Sequence, residues 1–521
     1  MTWYLNGMVP ARGILLASLA VLGVAACGGR REEAPRGSAP PAATSPAQAA
    51  DPASPEGEAA EPPAPPEFPK ETRSLELART ASVRLEPADD AKRIGTIAVD
   101  TRVAWSRTAK GKGCQKSWVE VRPHGWICAD YVRPSAKPPF GREVPMLDRG
   151  EVVPGTYGKV TAPSSVTYVV EKPDPKDKRK KKGERAGPIT SPRQVDPELA
   201  TAPKSKEPKL VEGKPLVGSV NVRQYDEVSV AGRLYWRVSQ KEPEYVLAQA
   251  ITEHRPSGYG GARLGDDTGW SPPIAFVWSR WSGPAHAMLD PRGVGGLLPA
   301  PIPARTPVQI LETFADPAGK PLAYKIGDAR WLPAADVRVF QPVPPPKLLE
   351  PSERWIDVDL DNQILVAYEG ELPVYATLVS SGSKETPTET GEYRMWLKES
   401  EADMNGLNGE DPYSVATVPW TQFFSPEKGL ALHTAYWHDQ FGTRRSHGCI
   451  NLAPRDARWL YFWSDPQVPP GWTMAAGVVE APGSIVRVRT KEEPNPPPKG
   501  YAKKVAEARQ QNAPVRPSEA P

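Results

Sequence analysis

Proline sets the first limit on what this chain can fold into. It occupies 63 of 521 positions, more than twice the roughly 5 % of ordinary proteins, and it gathers in particular segments. Length alone suggests about three or four domains, so the proline-rich segments mark part of that length as linker. From Gly28 to about Ser74 the sequence is Ala, Pro, Glu and Ser with hardly an aromatic. Such a stretch cannot bury enough apolar surface to offset its ordering entropy, and residues 27–74 read as a flexible tether. Residues 171–212, dominated by Lys, Pro and Glu without periodicity, read as a disordered insertion. Beyond Thr490 the composition turns to Pro, Lys, Glu and Gln, which predicts a disordered tail over 490–521.

Between these segments the chain is written in short apolar runs broken by turns. Val83–Leu85, Ile94–Ile97, Val103–Trp105, Trp118–Val121 and Gly125–Ile127 have the length and spacing of a small all-β barrel. The ending Trp118 to Val132 resembles the bacterial Src-homology-3-like domain, whose members often bind cell-wall peptides, and assigns residues 75–136 to such a module. Two later stretches repeat its last step. Trp126-Ile-Cys-Ala-Asp-Tyr-Val132, Tyr245-Val-Leu-Ala-Gln-Ala-Ile251 and Trp331-Leu-Pro-Ala-Ala-Asp-Val337 share aromatic, aliphatic, any, Ala, any, any, aliphatic. Each follows an apolar strand, so a second β module is expected over 143–256, carrying the insertion, and a third over 257–341. After the proline linker Gln341 to Lys347, the runs Trp355–Leu360, Ile364–Tyr368 and Val374–Val379 predict a β-meander, Pro454–Trp463 a helix, and Ile485–Val488 a closing strand.

Charge excludes little and points nowhere in particular. With 65 basic against 62 acidic residues and a net charge of +3, there is no global case for nucleic acid as a partner. The run Lys176 to Lys182 reads as a solvated loop. At the N-terminus Arg12, the apolar run Ile14–Ala26 and then Cys27 have the proportions of a secretory signal, with Met8 as an alternative start. Val24-Ala25-Ala26-Cys27 resembles a bacterial lipoprotein box. That resemblance implies removal of residues 1–26, lipidation of Cys27, a lipid anchor in the membrane, and a chain facing the periplasm. The absence of Asp after Cys27 favours the outer membrane by the same analogy. Ordinary signal cleavage nearby is the alternative.

Reactive side chains concentrate in one place. Residues 433–451, from His433 to Asn451, hold three of the six histidines and one of the four cysteines. Three readings follow: a thiolate nucleophile with a histidine base, a zinc site of His433, His438, His447 and Cys449, or a core cysteine among incidental histidines. Ser446-His447-Gly448-Cys449 reads as a tight turn, because glycine allows close backbone approach and positive φ. Cys114 and Cys128 both fall in the first module, and in an exported protein they are a candidate disulfide. That pairing leaves Cys27 for lipid and Cys449 as the free thiol.

Residues 350–489 resemble the L,D-transpeptidase catalytic domain of the YkuD type. The resemblance rests on His433 followed by Ser446-His447-Gly448-Cys449-Ile450-Asn451, on Ile356–Leu360 with Asn362-Gln-Ile-Leu365, and on the turn Thr386-Pro387 to Gly391. The turn is two residues longer than the usual form, and His433-Thr-Ala replaces the commoner His-Gly. The fold implied is mainly β: Src-homology-3-like barrels, then a β-rich catalytic domain with a short helix after the Cys motif. The resemblance makes Cys449 the nucleophile and His433 its proton acceptor and donor, oriented by the Thr434 carbonyl. It puts His447 and the backbone of Gly448 and Cys449 near the oxyanion and gives Ser446 the shaping of the turn. His438 has no family role and is expected to be an exposed loop residue.

The activity implied is acyl transfer on peptidoglycan stem peptides, from a tetrapeptide donor to an amine of another stem or of an envelope protein, with no metal and no cofactor. Water as acceptor gives a carboxypeptidase through the same acyl-enzyme. A non-catalytic wall-binding lipoprotein is the alternative from a different class.

Overall fold

The computed structural model describes residues 68–163, 165–171, 208–265, 267–278, 284–406 and 412–511. The expected signal segment, the candidate lipidation site at Cys27, the expected tether up to residue 67, residues 172–207 of the expected insertion and residues 512–521 lie outside them. The protein is mainly β, with two α-helices among the described residues, Pro454–Trp463 and Gly500–Gln511. Neither is long and apolar enough to cross a membrane.

The C-terminal region is built on two sheets. In the first, Arg354–Asp359 and Ile364–Glu369 form a hairpin, Leu372–Leu378 continues the meander, and Ile485–Arg489 lies parallel to Arg354–Asp359 with Gly391–Arg394 at its far side. Asp357, on the strand Arg354–Asp359, is buried with its neighbours. Its carboxylate accepts from Arg487 Nε at 2.7 Å and Arg489 Nε at 2.9 Å. Buried charges survive only when paired, so the strand's polar face became an ion network. In the second sheet the long strands Leu397–Gly406 and Tyr413–Ser425 pair antiparallel, and Leu430–Thr434 adds to the latter. The helix Pro454–Trp463 buries Ala457, Leu460 and Tyr461.

The N-terminal β segments are joined to this region through backbone hydrogen bonds. Arg93–Ile97 of the first module pairs with Trp472–Ala476, with Gly95 opposite Ala475. Ser219–Arg223 of the second lies parallel to Tyr413–Ser425. All three repeated endings adopt one local form, a strand, a 3₁₀ turn and a strand: Trp126–Cys128, Ala129–Tyr131, Val132–Ser135, then Glu244–Leu247, Ala248–Ala250, Ile251–Glu253, then Arg330–Pro333, Ala334–Asp336, Val337–Phe340. Cys114 and Cys128 are joined by a disulfide, their Cα atoms 5.6 Å apart.

Three expected boundaries differ. The tether ends before Phe68, whose ring packs edge-on against Trp105 at 5.2 Å, because an aromatic side chain finds a partly buried site there. Ala262–Arg263, expected in the third module, pairs with Leu372–Leu378 at the edge of the first catalytic sheet, while the strands of the third module begin at Ile274–Val277. Tail residues 500–511 form a helix with Ala502 and Val505 buried. Arg509 Nη2 donates to Glu353 Oε1 at 2.7 Å, and the same carboxylate receives both Arg394 Nη atoms at 2.9 and 2.8 Å. A short apolar contact and a shared carboxylate order a segment whose composition alone predicted disorder.

Gly95 is where the first module meets the catalytic sheet. A Cβ there would lie 2.2 Å from the Trp472 ring and 3.2 Å from Val83. Gly95→Val should force the strands apart at this seam and cost about 1–3 kcal/mol. Thermal melting should show the loss, and limited proteolysis should release the first module earlier than from the parent; equal melting and cleavage would contradict the seam.

Candidate active site

Two short parallel strands set the centre of the site. Leu430–Thr434 pairs with Ile450–Leu452, with Leu432 opposite Ile450 and His433 opposite Asn451. Cys449 precedes the second strand, so the pairing brings the thiol and His433 to one cleft of about 180 Å³ that also holds Tyr413, Trp437, Arg445 and His447. His433 is buried, and its Nδ1–H donates to the Thr434 carbonyl at 2.9 Å. A carbonyl can only accept, so Nε2 carries the lone pair. The ring lies against Trp437 with centroids 5.8 Å apart.

The turn before Cys449 is held from inside and from outside. Ser446 Oγ accepts from the Gly448 N–H at 3.1 Å and donates to the Cys449 carbonyl. Gly448 has φ +120°, a conformation open to glycine and strained for other residues. The lengthened turn braces it, since Thr388 Oγ1 donates to the Gly448 carbonyl at 2.7 Å and Thr386 Oγ1 to that of Ser446 at 3.1 Å. Thr386 and Thr388 thus hold the turn before Cys449 from the outside. His447 stacks on Tyr413 with centroids 4.6 Å apart.

His438 departs from expectation. It is half-buried, lies 5.0 Å from the Phe441 ring, accepts the Gln440 N–H on Nδ1 at 3.2 Å and faces the Asn451 carboxamide through Nε2 at 3.0 Å. The loop after His433 folds back over the strand that carries Asn451, and this covers the ring. The side chains considered as a zinc set, His433, His438, His447 and Cys449, do not bring three or more ligand atoms together as one group among the described residues. Among the described residues the one group of three His, Cys, Asp or Glu side chains close enough for a metal is Cys114, Cys128 and Asp130, where both sulfurs are already in the disulfide.

Burial sets the charge state. Cys449 is half-buried, and burial pushes its thiol up to about 11 against the opposing pull of the Ala431 N–H. Burial takes the His433 imidazole down to about 4, with the Thr434 carbonyl pulling the other way. At neutral pH both groups are uncharged.

The sequence from 353 to 488 matches the family model described as YkuD, L,D-transpeptidase catalytic domain. Residues 353–488 are thus similar to YkuD-type catalytic domains. A Bacillus subtilis protein provisionally named L,D-transpeptidase YciB is 28 % identical over 120 residues, which is 20 % of this chain and 59 % of the relative. A mutant L,D-transpeptidase from Enterococcus faecium is 28 % identical with a TM-score of 0.21, covering 26 % of this chain and 50 % of that structure. L,D-transpeptidase 3 from Mycobacterium tuberculosis, solved with a faropenem-derived adduct, is 19 % identical with a TM-score of 0.22, covering 31 % and 72 %. The chain spans about three-fifths of the curated relative it matches and half of the Enterococcus faecium structure. YkuD-type domains belong to a cysteine-based enzyme family, and Cys449 is the free thiol among the described residues.

The second β module contributes to the cleft, which sequence reasoning missed. Ser219 and Asn221 line it beside Met404, Tyr413 and Val415. Their period-2 spacing, with Val220 and Val222 in the module's own core, was the available signal.

Thiol alkylation proceeds through the thiolate. With the thiol raised and the imidazole lowered, the rate of Cys449 modification by iodoacetamide should climb about tenfold per pH unit from pH 7 to 9 without levelling. Intact-mass time courses measure this, and a plateau below pH 8 would indicate a thiolate–imidazolium pair instead.

Proposed function

We propose that this protein is a peptidoglycan L,D-transpeptidase in which Cys449 is the nucleophile and His433 moves the proton. The observation that carries the reading is the fixed tautomer of His433: its Nδ1–H is tied to Thr434, so Nε2 is the basic atom in the cleft that holds Cys449. As Cys449 Sγ attacks the carbonyl of the third residue of a tetrapeptide stem, its proton passes to His433 Nε2. A neutral pair suits this, because proton transfer accompanies attack and a general base is most useful when it starts unprotonated. Collapse of the tetrahedral intermediate breaks the peptide bond, and D-alanine leaves as an amine carrying that proton. The acceptor amine, from another stem or an envelope protein, attacks the thioester, gives its proton to His433 and restores the thiol. Water in place of the amine makes the same chemistry a carboxypeptidase.

The oxyanion donors are narrower than the resemblance implied. The Gly448 N–H is taken by Ser446 Oγ, which leaves the Cys449 N–H as the turn amide for a developing negative charge, with His447 beside it. The wider setting belongs to the same proposal. Residues 1–27 support a lipid anchor at Cys27 and a periplasmic, outer-membrane position, while the likeness of 75–136 to Src-homology-3-like modules supports wall binding.

Faropenem supplies a convenient acylating probe. Intact-protein mass spectrometry should show an adduct on the parent and none on Cys449→Ala, and His433→Ala should slow acylation by about 10²-fold or more. An unchanged adduct on Cys449→Ala would sink the assignment of the nucleophile. Incubating the parent with a stem tetrapeptide, alone and with an amine acceptor, separates hydrolysis from transfer by product mass.

A further inference from the structure

The cleft around Cys449 has a wall that the catalytic domain does not make. Ser219–Arg223 joins Tyr413–Ser425 in parallel register, with Ser219 opposite Tyr413 and Asn221 opposite Val415. Side chains alternate along a strand, so Val220 and Val222 enter the module's core against Trp236, while Ser219, Asn221, Tyr413 and Val415 share the face that lines the cleft. Asn221 is only 5 % exposed. A polar side chain that deep needs its hydrogen bonds supplied, and one is: His254 Nε2 lies 2.8 Å from Asn221 Oδ1. The carboxamide oxygen accepts, so the imidazole donates. Among the described residues the Nδ2 amide has no partner.

We propose that Asn221 is a substrate-binding residue for the reaction at Cys449, presenting its Nδ2–H₂ to an oxygen of an acidic stem peptide, and that His254 is the positioning residue that turns the carboxamide that way. The proposal rests on the transpeptidase reading for the identity of its ligand. The cleft lining supports an acidic ligand: it contains Arg445 and no Asp or Glu. His254 is suited to its part. Burial first and Lys159 second lower its imidazole to about 4, so the ring is neutral and keeps a single N–H, which it gives to Asn221. Its ring also lies 5.7 Å from Tyr436, itself stacked on Tyr157 at 4.0 Å, which limits rotation. If His254 were instead an acceptor, Asn221 would turn and show an oxygen to the cleft, suited to an amine. The two orientations make opposite predictions.

The test uses the full chain with a stem tetrapeptide, reading D-alanine release, and Cys449 alkylation by iodoacetamide as a check on the site itself. Asn221→Ala should raise KM about three- to tenfold, the range for one hydrogen bond, with kcat and the alkylation rate within about twofold of the parent. Asn221→Asp, which keeps the shape and removes the donor, should raise KM further by placing a carboxylate against an acidic ligand, and it carries the test if the alanine variant does not fold. His254→Ala should show a smaller rise in KM, and Asn221→Gln should recover part of the loss. An unchanged KM in Asn221→Ala, a lower KM in Asn221→Asp, or a parallel loss of alkylation in every variant would overturn the proposal. If the parent releases no D-alanine, the transpeptidase reading itself fails. The same variants then answer by calorimetric binding of the tetrapeptide, where equal affinities for parent and Asn221→Ala would overturn the role of Asn221.

Discussion

Three backbone pairs, Leu432 with Ile450, His433 with Asn451 and Thr434 with Leu452, hold the candidate site together. A parallel pair fixes both the separation and the facing of its side chains. It places His433 next to the strand that Cys449 opens, and it puts the Thr434 carbonyl where it can hold the imidazole. The rest of the site is bracing for this pair: Ser446 closes the turn from within, Thr386 and Thr388 clamp it from outside, and His438 covers Asn451. A site built on rigid elements, with the His433 imidazole held by a backbone carbonyl, keeps its geometry without an acidic residue as third member.

The β modules share that rigidity. Backbone hydrogen bonds join the first to Trp472–Ala476 and the second to Tyr413–Ser425. The strand that carries Tyr413 and Val415 into the cleft is therefore flanked by the module that carries Asn221. A change in the core of the second module, at Val220, Val222 or Trp236, would be felt at the cleft that holds Cys449, since packed interiors transmit displacement.

What the sequence disclosed and what it hid divide by range. The Ser446 to Asn451 turn, the helix Pro454–Trp463, the meander from Arg354 and the strand Ile485–Arg489 were legible because periodicity and turn chemistry are local. The three repeated endings were legible as a shared local form for the same reason. The partners of Asn221, the cover over His438 and the placing of Ala262–Arg263 depend on residues far apart in the chain, and no local pattern announces such contacts. The burial of Asp357 was hidden for the same reason, since Arg487 and Arg489, which pair its charge, lie far along the chain. The helix Gly500–Gln511 was hidden by its composition: Ala502 and Val505 at i and i+3 are a thin apolar stripe, and the carboxylate that receives Arg509 lies far back at Glu353.

The seam between Arg93–Ile97 and Trp472–Ala476 also bears on how the chain reaches this structure. Pairing strands so distant closes a loop through most of the polypeptide, and such contacts form late and slowly. The first module emerges from the ribosome long before its partner strand, with the edge at Arg93–Ile97 unpaired and open to other strands. Gly95, free of a side chain and shielded only when Trp472 arrives, sits in the middle of that edge. Completion of the sheet is thus tied to completion of the chain, and a truncated product would carry a sticky edge in place of a finished wall.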